Sequence, residues 1–198
     1  MRREDAAPSF AREAVGAAWG LPALVRHDPH WSAGFDASAR GFLRSFLAPV
    51  LALPFYLITA AMIARSTTPP GGAGALWGAG LSQLLDTIAY PLVVAAFARP
   101  LKIGGGFTAF IVVVNWASLF LNAILALSAL AGFFGPRGYG VFSTAAVALF
   151  ALSVFITWRA ARETLTQELA PCLLMVVLSV AVGVACDQAS TLLLKLWG

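Results

Sequence analysis

The sequence predicts an all-α fold: a polytopic transmembrane bundle of five spanning helices with a cytoplasmic N terminus. Three observations lead there. First, 60% of the 198 residues are hydrophobic and only 11% are charged, against about 25% charged in a water-soluble domain, and the mean hydropathy is +0.83. A water-soluble fold of this size cannot hide so much apolar surface, so lipid must solvate much of it. Second, the apolar residues gather in five stretches, at about 46–64, 75–97, 107–133, 141–158 and 169–194. Each is close to the ~20 residues that a ~30 Å hydrocarbon core requires. Third, the basic residues between those stretches are divided unequally, which gives the orientation derived below.

Residues 1–35 form a polar cytoplasmic segment, and 36–198 form the transmembrane domain. The polar segment carries Arg2, Arg3, Glu4, Asp5, Arg12, Glu13, Arg26 and Asp28, broken by Pro8, Pro22 and Pro29. Ser9 suits an N-cap, and Phe10, Ala14, Ala17 and Ala18 share one side of a short amphipathic helix over 9–19. Trp19 and Trp31 suit the headgroup level of the membrane. The first forty residues contain no continuous apolar h-region, so the first span is expected to act as the insertion signal.

The first span opens at Asp36 or Ser38, either of which can cap a new helix. Pro49 and Pro54 lie in its apolar stretch and predict a bend. Ser-Thr-Thr-Pro-Pro-Gly-Gly at 66–72 is a loop by its turn chemistry. In the second span, Gly74 and Gly78 make a small-xxx-small pair that admits a close neighbour, and Pro91 predicts a kink. The glycines at 104–106 lack the strand, lysine and spacing of a phosphate-binding loop and read as a turn. The third span is followed by Gly135-Pro-Arg-Gly-Tyr-Gly140, a tight loop. The fourth carries only scattered Ser and Thr, and residues 159–168 continue as a charged connection whose Arg159, Arg162, Glu163 and Glu168 form a solvated or docking face. The fifth begins near Pro171, contains a second small pair in Ser179 and Gly183, and leaves the membrane at Lys195 and Trp197.

Five spans put the termini on opposite sides. Arg2, Arg3, Arg12, Arg26, Arg40, Arg44, Arg99, Lys102, Arg159 and Arg162 share the N-terminal side, against Arg65, Arg137 and Lys195 on the other. Basic loops stay in the cytoplasm, so the N terminus is expected there. The net charge of +4 is this topological excess. It does not mark a nucleic-acid surface, because no basic patch is interleaved with aromatics. Cys172 and Cys186 are fourteen residues apart on one helix, ~21 Å at 1.5 Å per residue, too far to bond each other.

Chemistry concentrates in the second span. Gln83, Asp86, Thr87 and Tyr90 fall at i, i+3, i+4 and i+7, on one helical face. Asn115, Ser118 and Asn122 share a face of the third span, and Asp187, Ser190 and Thr191 share one of the fifth. A charged group inside the bilayer is costly unless it meets a partner or water, so these faces are expected to turn inward as a polar seam where spans two, three and five join. Depth along the helices pairs Asp86 with Asn115 in one layer and Asn122 with Asp187 in a second. Such a seam either fixes helix register, at roughly 0.6 kcal/mol per hydrogen bond, or carries a proton or cation. His27 and His30 stand without the further ligands a metal needs. Glycine-flanked serine, zinc-protease and paired-carboxylate motifs are missing. No catalytic, cofactor-binding or metal-ligating residue is therefore assigned.

Phe35-Asp-x-Ser-x-x-Gly-Phe-x-Arg-Ser-Phe46 at the membrane entry, Asp86-Thr-x-x-Tyr-Pro91 and Asn115-Trp116 together resemble the bacterial Yip1-like five-span integral membrane proteins over residues 35–195. The resemblance implies a multi-pass protein of the bacterial inner membrane, without cofactor or catalysis. The expected function is therefore non-enzymatic, through contacts with the lipid bilayer, a protein partner or a second copy of the chain, in a scaffolding, assembly or membrane-organising role. The alternative is a small transporter or channel that uses Asp86 and Asp187.

Overall fold

The structure, a computed structural model, describes residues 9–67, 72–98, 100–101 and 103–197. The charges of residues 2–5, Pro8, much of the 66–72 loop, Arg99, Lys102 and the side chain of Trp197 lie outside the described residues. Among the described residues seven α-helices follow one another: α1 (Phe10–Val25), α2 (Ala39–Ser45), α3 (Leu47–Ser66), α4 (Ala73–Ala98), α5 (Phe107–Gly132), α6 (Pro136–Thr164) and α7 (Leu169–Trp197). No strand occurs among the described residues. With α2 and α3 taken as one interrupted span, five helices are long and apolar enough to cross a membrane. The chain is a multi-pass membrane protein.

Local chemistry accounts for most boundaries. Ser9 caps α1, its side chain accepting from the Arg12 N–H, and Ser38 caps α2 by accepting from Gly41. Asp36 supports the second cap from outside, its Oδ1 accepting from the Ser38 N–H at 2.9 Å. The bend expected in the first span falls earlier than its prolines. The helix breaks at Phe46, and α3 then runs unbroken through Pro54. Pro49 is the cause, because it can neither donate to the carbonyl of Ser45 nor lie over it. Residues 136–140, expected as loop, are the first turns of α6 with Pro136 at its start, a position where proline loses no bond. The reversal is confined to residues 133–135, where Gly135 takes φ 107°. The three glycines at 104–106 form a 3-10 turn, and Gly106 lies so close to the Thr164 carbonyl that a Cβ has no room.

The spanning helices close into a ring. α3 packs on α5, α5 on α6, α6 on α7, α7 on α4, and α4 back on α3. α4 and α5 touch only slightly across the middle. Trp77, Leu84, Ile88 and Leu92 form an exposed stripe on α4. Ile88 is two residues beyond Asp86, roughly 200° around the helix, so the lipid-facing stripe and the carboxylate point in opposite directions.

Packing is uneven along the ring. At the end that bears the N terminus, Tyr90, Val94, Phe110, Val113, Ile156, Ala160, Cys172 and Met175 form one buried cluster. Leu21 and Leu24 of α1 join it. Phe10 of α1 meets Trp116 with ring centroids 5.1 Å apart, and Ala17 packs beside them. The amphipathic helix expected over 9–19 is therefore real and longer, and its apolar side rests on the bundle. Trp19 stays exposed. At the opposite end the buried cluster is small, with Met62, Ala129 and Phe142 at its centre.

Candidate functional site

The space left inside the ring gathers polar side chains among apolar ones. Tyr56 of α3, Gln83 and Asp86 of α4, Ser118 and Asn122 of α5, and Ser153 and Thr157 of α6 line a cavity of about 300 Å³. A second hollow of about 660 Å³ continues from it along Gln83 and Asp86 to Gly183, Asp187 and Gln188 of α7. A third, of about 590 Å³, runs from Tyr56 and Asp187 past Thr191 to Lys195 near the far end. Tyr56 borders all three and stands within electrostatic reach of both Asp187 and Asp86. Asp86 lies midway along α4, ~20 Å from either end at 1.5 Å per residue.

Two groups in this interior lack partners. Asp86 Oδ1 is sealed from solvent and accepts no hydrogen bond from any described residue. The Gln83 side chain is only 9% exposed, borders the first two hollows, and makes no side-chain hydrogen bond among the described residues. A buried carboxylate oxygen left unpaired costs about 1–3 kcal/mol or more. The ring therefore places a carboxyl group beside a neutral donor and acceptor, and both residues border its open space.

The remaining groups expected in the seam have local duties. Thr87 Oγ1 donates to the Gln83 carbonyl at 2.8 Å, within its own helix. Tyr90 donates its hydroxyl to the Met175 carbonyl at 3.2 Å, tying α4 to α7 below the cavity. Ser190 donates to the Asp187 carbonyl at 2.8 Å, and Asn122 donates to the Ser118 carbonyl at 2.9 Å while still bordering the cavity.

Two expectations need correction. The pairing of Asp86 with Asn115 does not occur, because Asn115 Nδ2 donates to Ser45 Oγ at 2.9 Å. The cause is α2, whose last turn brings Ser45 to the level of Asn115. Asn122 borders the cavity of Asp86, and Asp187 lies along the adjoining hollows. Finally, the seam is not the junction of spans two, three and five, because α5 and α7 flank α6 and are not neighbours. Spans one and four complete it. Ser153 and Thr157 supply α6's polar face at an i, i+4 spacing that was readable in the sequence. Tyr56 carried no such signal, being one aromatic among many apolar neighbours.

Some of the charged groups outside the ring are paired. Arg159, expected on a solvated face, is buried and holds Glu163 at 2.8 Å. Glu13 of α1 is buried against Arg44 at 3.1 Å, and its two oxygens meet no donor squarely enough for a hydrogen bond. Burial pushes the Glu13 carboxyl above its ordinary value of 4.5, with Arg44 opposing that shift and Asp36 adding to it. His30 Nδ1 lies 3.2 Å from Asp28 Oδ1, and no three His, Cys, Asp or Glu side chains converge among the described residues. No family model, curated protein or solved structure matches this chain.

Proposed function

We propose that this is a non-enzymatic carrier or channel-type protein whose ring takes up a cation or a proton at Asp86. One observation carries the reading: an unpaired carboxylate at mid-span, facing a cavity instead of a partner helix. A group that served only to fix helix register would have a donor against it. Asp187, on the route from the cavity to the far end, supplies a second acceptor for the same charge. The bias of Lys and Arg supports a cytoplasmic N terminus in a bacterial inner membrane, so that the mouth of the ring faces outward and its packed floor faces the cytoplasm. Under this reading the relation to Yip1-like proteins is one of five-span order.

The scaffold reading keeps one observation in its favour. Val15 and Trp19, four residues apart on α1, stay exposed on the side turned from the bundle, a surface suited to headgroups or a partner. Flux decides between the two. Proteoliposomes of the purified chain should pass protons or a monovalent cation down an imposed gradient, and Asp86→Asn should abolish this while Asp187→Asn slows it. Flux equal to that of empty liposomes, or unchanged in Asp86→Asn, refutes the proposal.

A further inference from the structure

The ring has a side opening, and it narrows the class of ligand. Between α6 and α7 a gap of about 350 Å³ is bordered by Ser153, Thr157, Ser179 and Gly183, with Phe150 and Val184 at its rim. Phe150, Ser153 and Thr157 also border the cavity of Asp86, and Gly183 and Val184 border the hollow that Gln83 and Asp86 share. Small residues usually bring membrane helices into contact. At Gly78 they do so, since a Cβ there would lie 3.1 Å from Leu194. At Gly183 a Cβ would meet nothing within 4 Å, so Gly183 borders a hole where Gly78 makes a contact.

The opening lies at the depth of the hydrocarbon. Gly183 is the midpoint of the 29-residue α7, and Phe150, Val180 and Val184 around it are exposed. A hydrated inorganic ion would have to cross acyl chains to reach such an opening, whereas a molecule already dissolved in the bilayer would not. Inside, the groups left to satisfy are the Asp86 carboxylate and the Gln83 amide. The first calls for a cationic donor, and the second for a donor or acceptor of any charge.

Resting on the cation-site reading above, we infer that the ligand is a single-chain amphiphile with a protonated amine head. The head passes from the membrane between α6 and α7 as the uncharged amine, takes its proton from the Asp86 carboxyl group inside the ring to form the ammonium–carboxylate pair beside Gln83, and the hydrocarbon tail stays in the gap beside Gly183 and Val184. The balance of groups fits an amine better than a phosphate or carboxylate head, since both acids, Asp86 and Asp187, would repel an anion.

Photolabelling tests this in proteoliposomes of the full chain, using a long-chain primary amine with a diazirine in its tail and the alcohol of the same length as control. The amine should label α6 and α7 around Val154, Val180 and Val184 about tenfold more than the alcohol, the discrimination that one charge-assisted hydrogen bond supplies. Asp86→Asn should remove that preference, and Gly183→Trp should block the labelling itself. Gly183→Leu, a smaller plug, should reduce labelling if the tryptophan variant fails to assemble. Equal labelling by amine and alcohol in the wild type, or an amine preference that survives Asp86→Asn, overturns the inference. Flux that needs Asp86 but is indifferent to Gly183→Trp, with no amine preference, overturns it too and leaves the cation site standing.

Discussion

Replacing Asp86 by asparagine should make the protein more stable, and the surroundings of the carboxylate set the size of the gain. An aspartate at the centre of a spanning helix costs about 2.5–3.5 kcal/mol to insert. The amide would keep the shape of the side chain and a carbonyl acceptor and add two N–H donors that the cavity's polar groups or water can meet, so the exchange chiefly removes the charge. No described donor compensates Oδ1, so no hydrogen bond at that oxygen is lost in return. The adjoining cavity of about 300 Å³ is large enough to hold water, which relieves part of the cost in the wild type. A net gain of ~1–3 kcal/mol is therefore expected. At about 2–4 °C per kcal/mol for a chain of this length, Tm should rise by roughly 2–12 °C. Thermal unfolding of both proteins in the same detergent at pH 7.5, followed by tryptophan fluorescence, measures it. A lower Tm for Asp86→Asn would show that the carboxylate holds a helix in place, at the ~0.6 kcal/mol of an interhelical hydrogen bond, and would refute the claim that it is a stability cost retained for function.

Two further outcomes test how α1 is held. Trp116 is buried between Phe10 and Phe120, so Trp116→Ala should cost about 3–5 kcal/mol and expose the 26–38 connection to protease, whereas an equally stable variant with α1 still protected would refute the docking described here. The pH dependence of that protection should have two limbs. The docked state favours protonated Glu13, whose carboxyl is raised above 4.5 chiefly by burial, so docking should strengthen as pH falls from neutral toward 4.5. Asp36 is held below its ordinary 3.8 by its hydrogen bonds to Ser38, so the stability it lends is present above 3.8 and lost as pH falls below that. Proteolysis across this range should pass through a minimum, and Glu13→Gln should flatten the upper limb alone.

The five spans were legible because length and hydropathy are local properties, and the bilayer imposes one length on every span. Ser9 and Ser38 were legible as caps for a similar reason: a cap acts within its own first turn. The seam was legible in part. The faces of α4 and α5 follow from helical period, so Gln83, Asp86, Ser118 and Asn122 were found together. Their partners depend on which helices are neighbours, and period carries no information about that. Asn115 was assigned to Asp86 by depth alone, and it went instead to Ser45, because Pro49 ends α2 at Ser45 and sets that serine against α5. The same limit applies to glycine pairs: Gly78 and Gly183 look alike in sequence, and only the placement of α7 makes one a contact and the other an opening.

The uneven packing of the ring bears on what the Asp86 site can do. Above the carboxylate the interior is open, and one turn below it Tyr90 is buried against Phe110 and bonded to Met175. A ligand that only binds needs nothing more than the open half. A ligand that crosses requires Tyr90 to leave that position. α4 has its weakest point at that level, because Pro91 cannot donate to the carbonyl of Thr87, and the ladder of backbone hydrogen bonds is broken between the residue that faces the cavity and the residue that closes it. Pro91 is itself buried, so a change in the angle of α4 there would be transmitted to α5 and α7 and not absorbed by lipid. The residue that isolates the site from the N-terminal side is thus carried on the one stretch of α4 whose backbone is least tied.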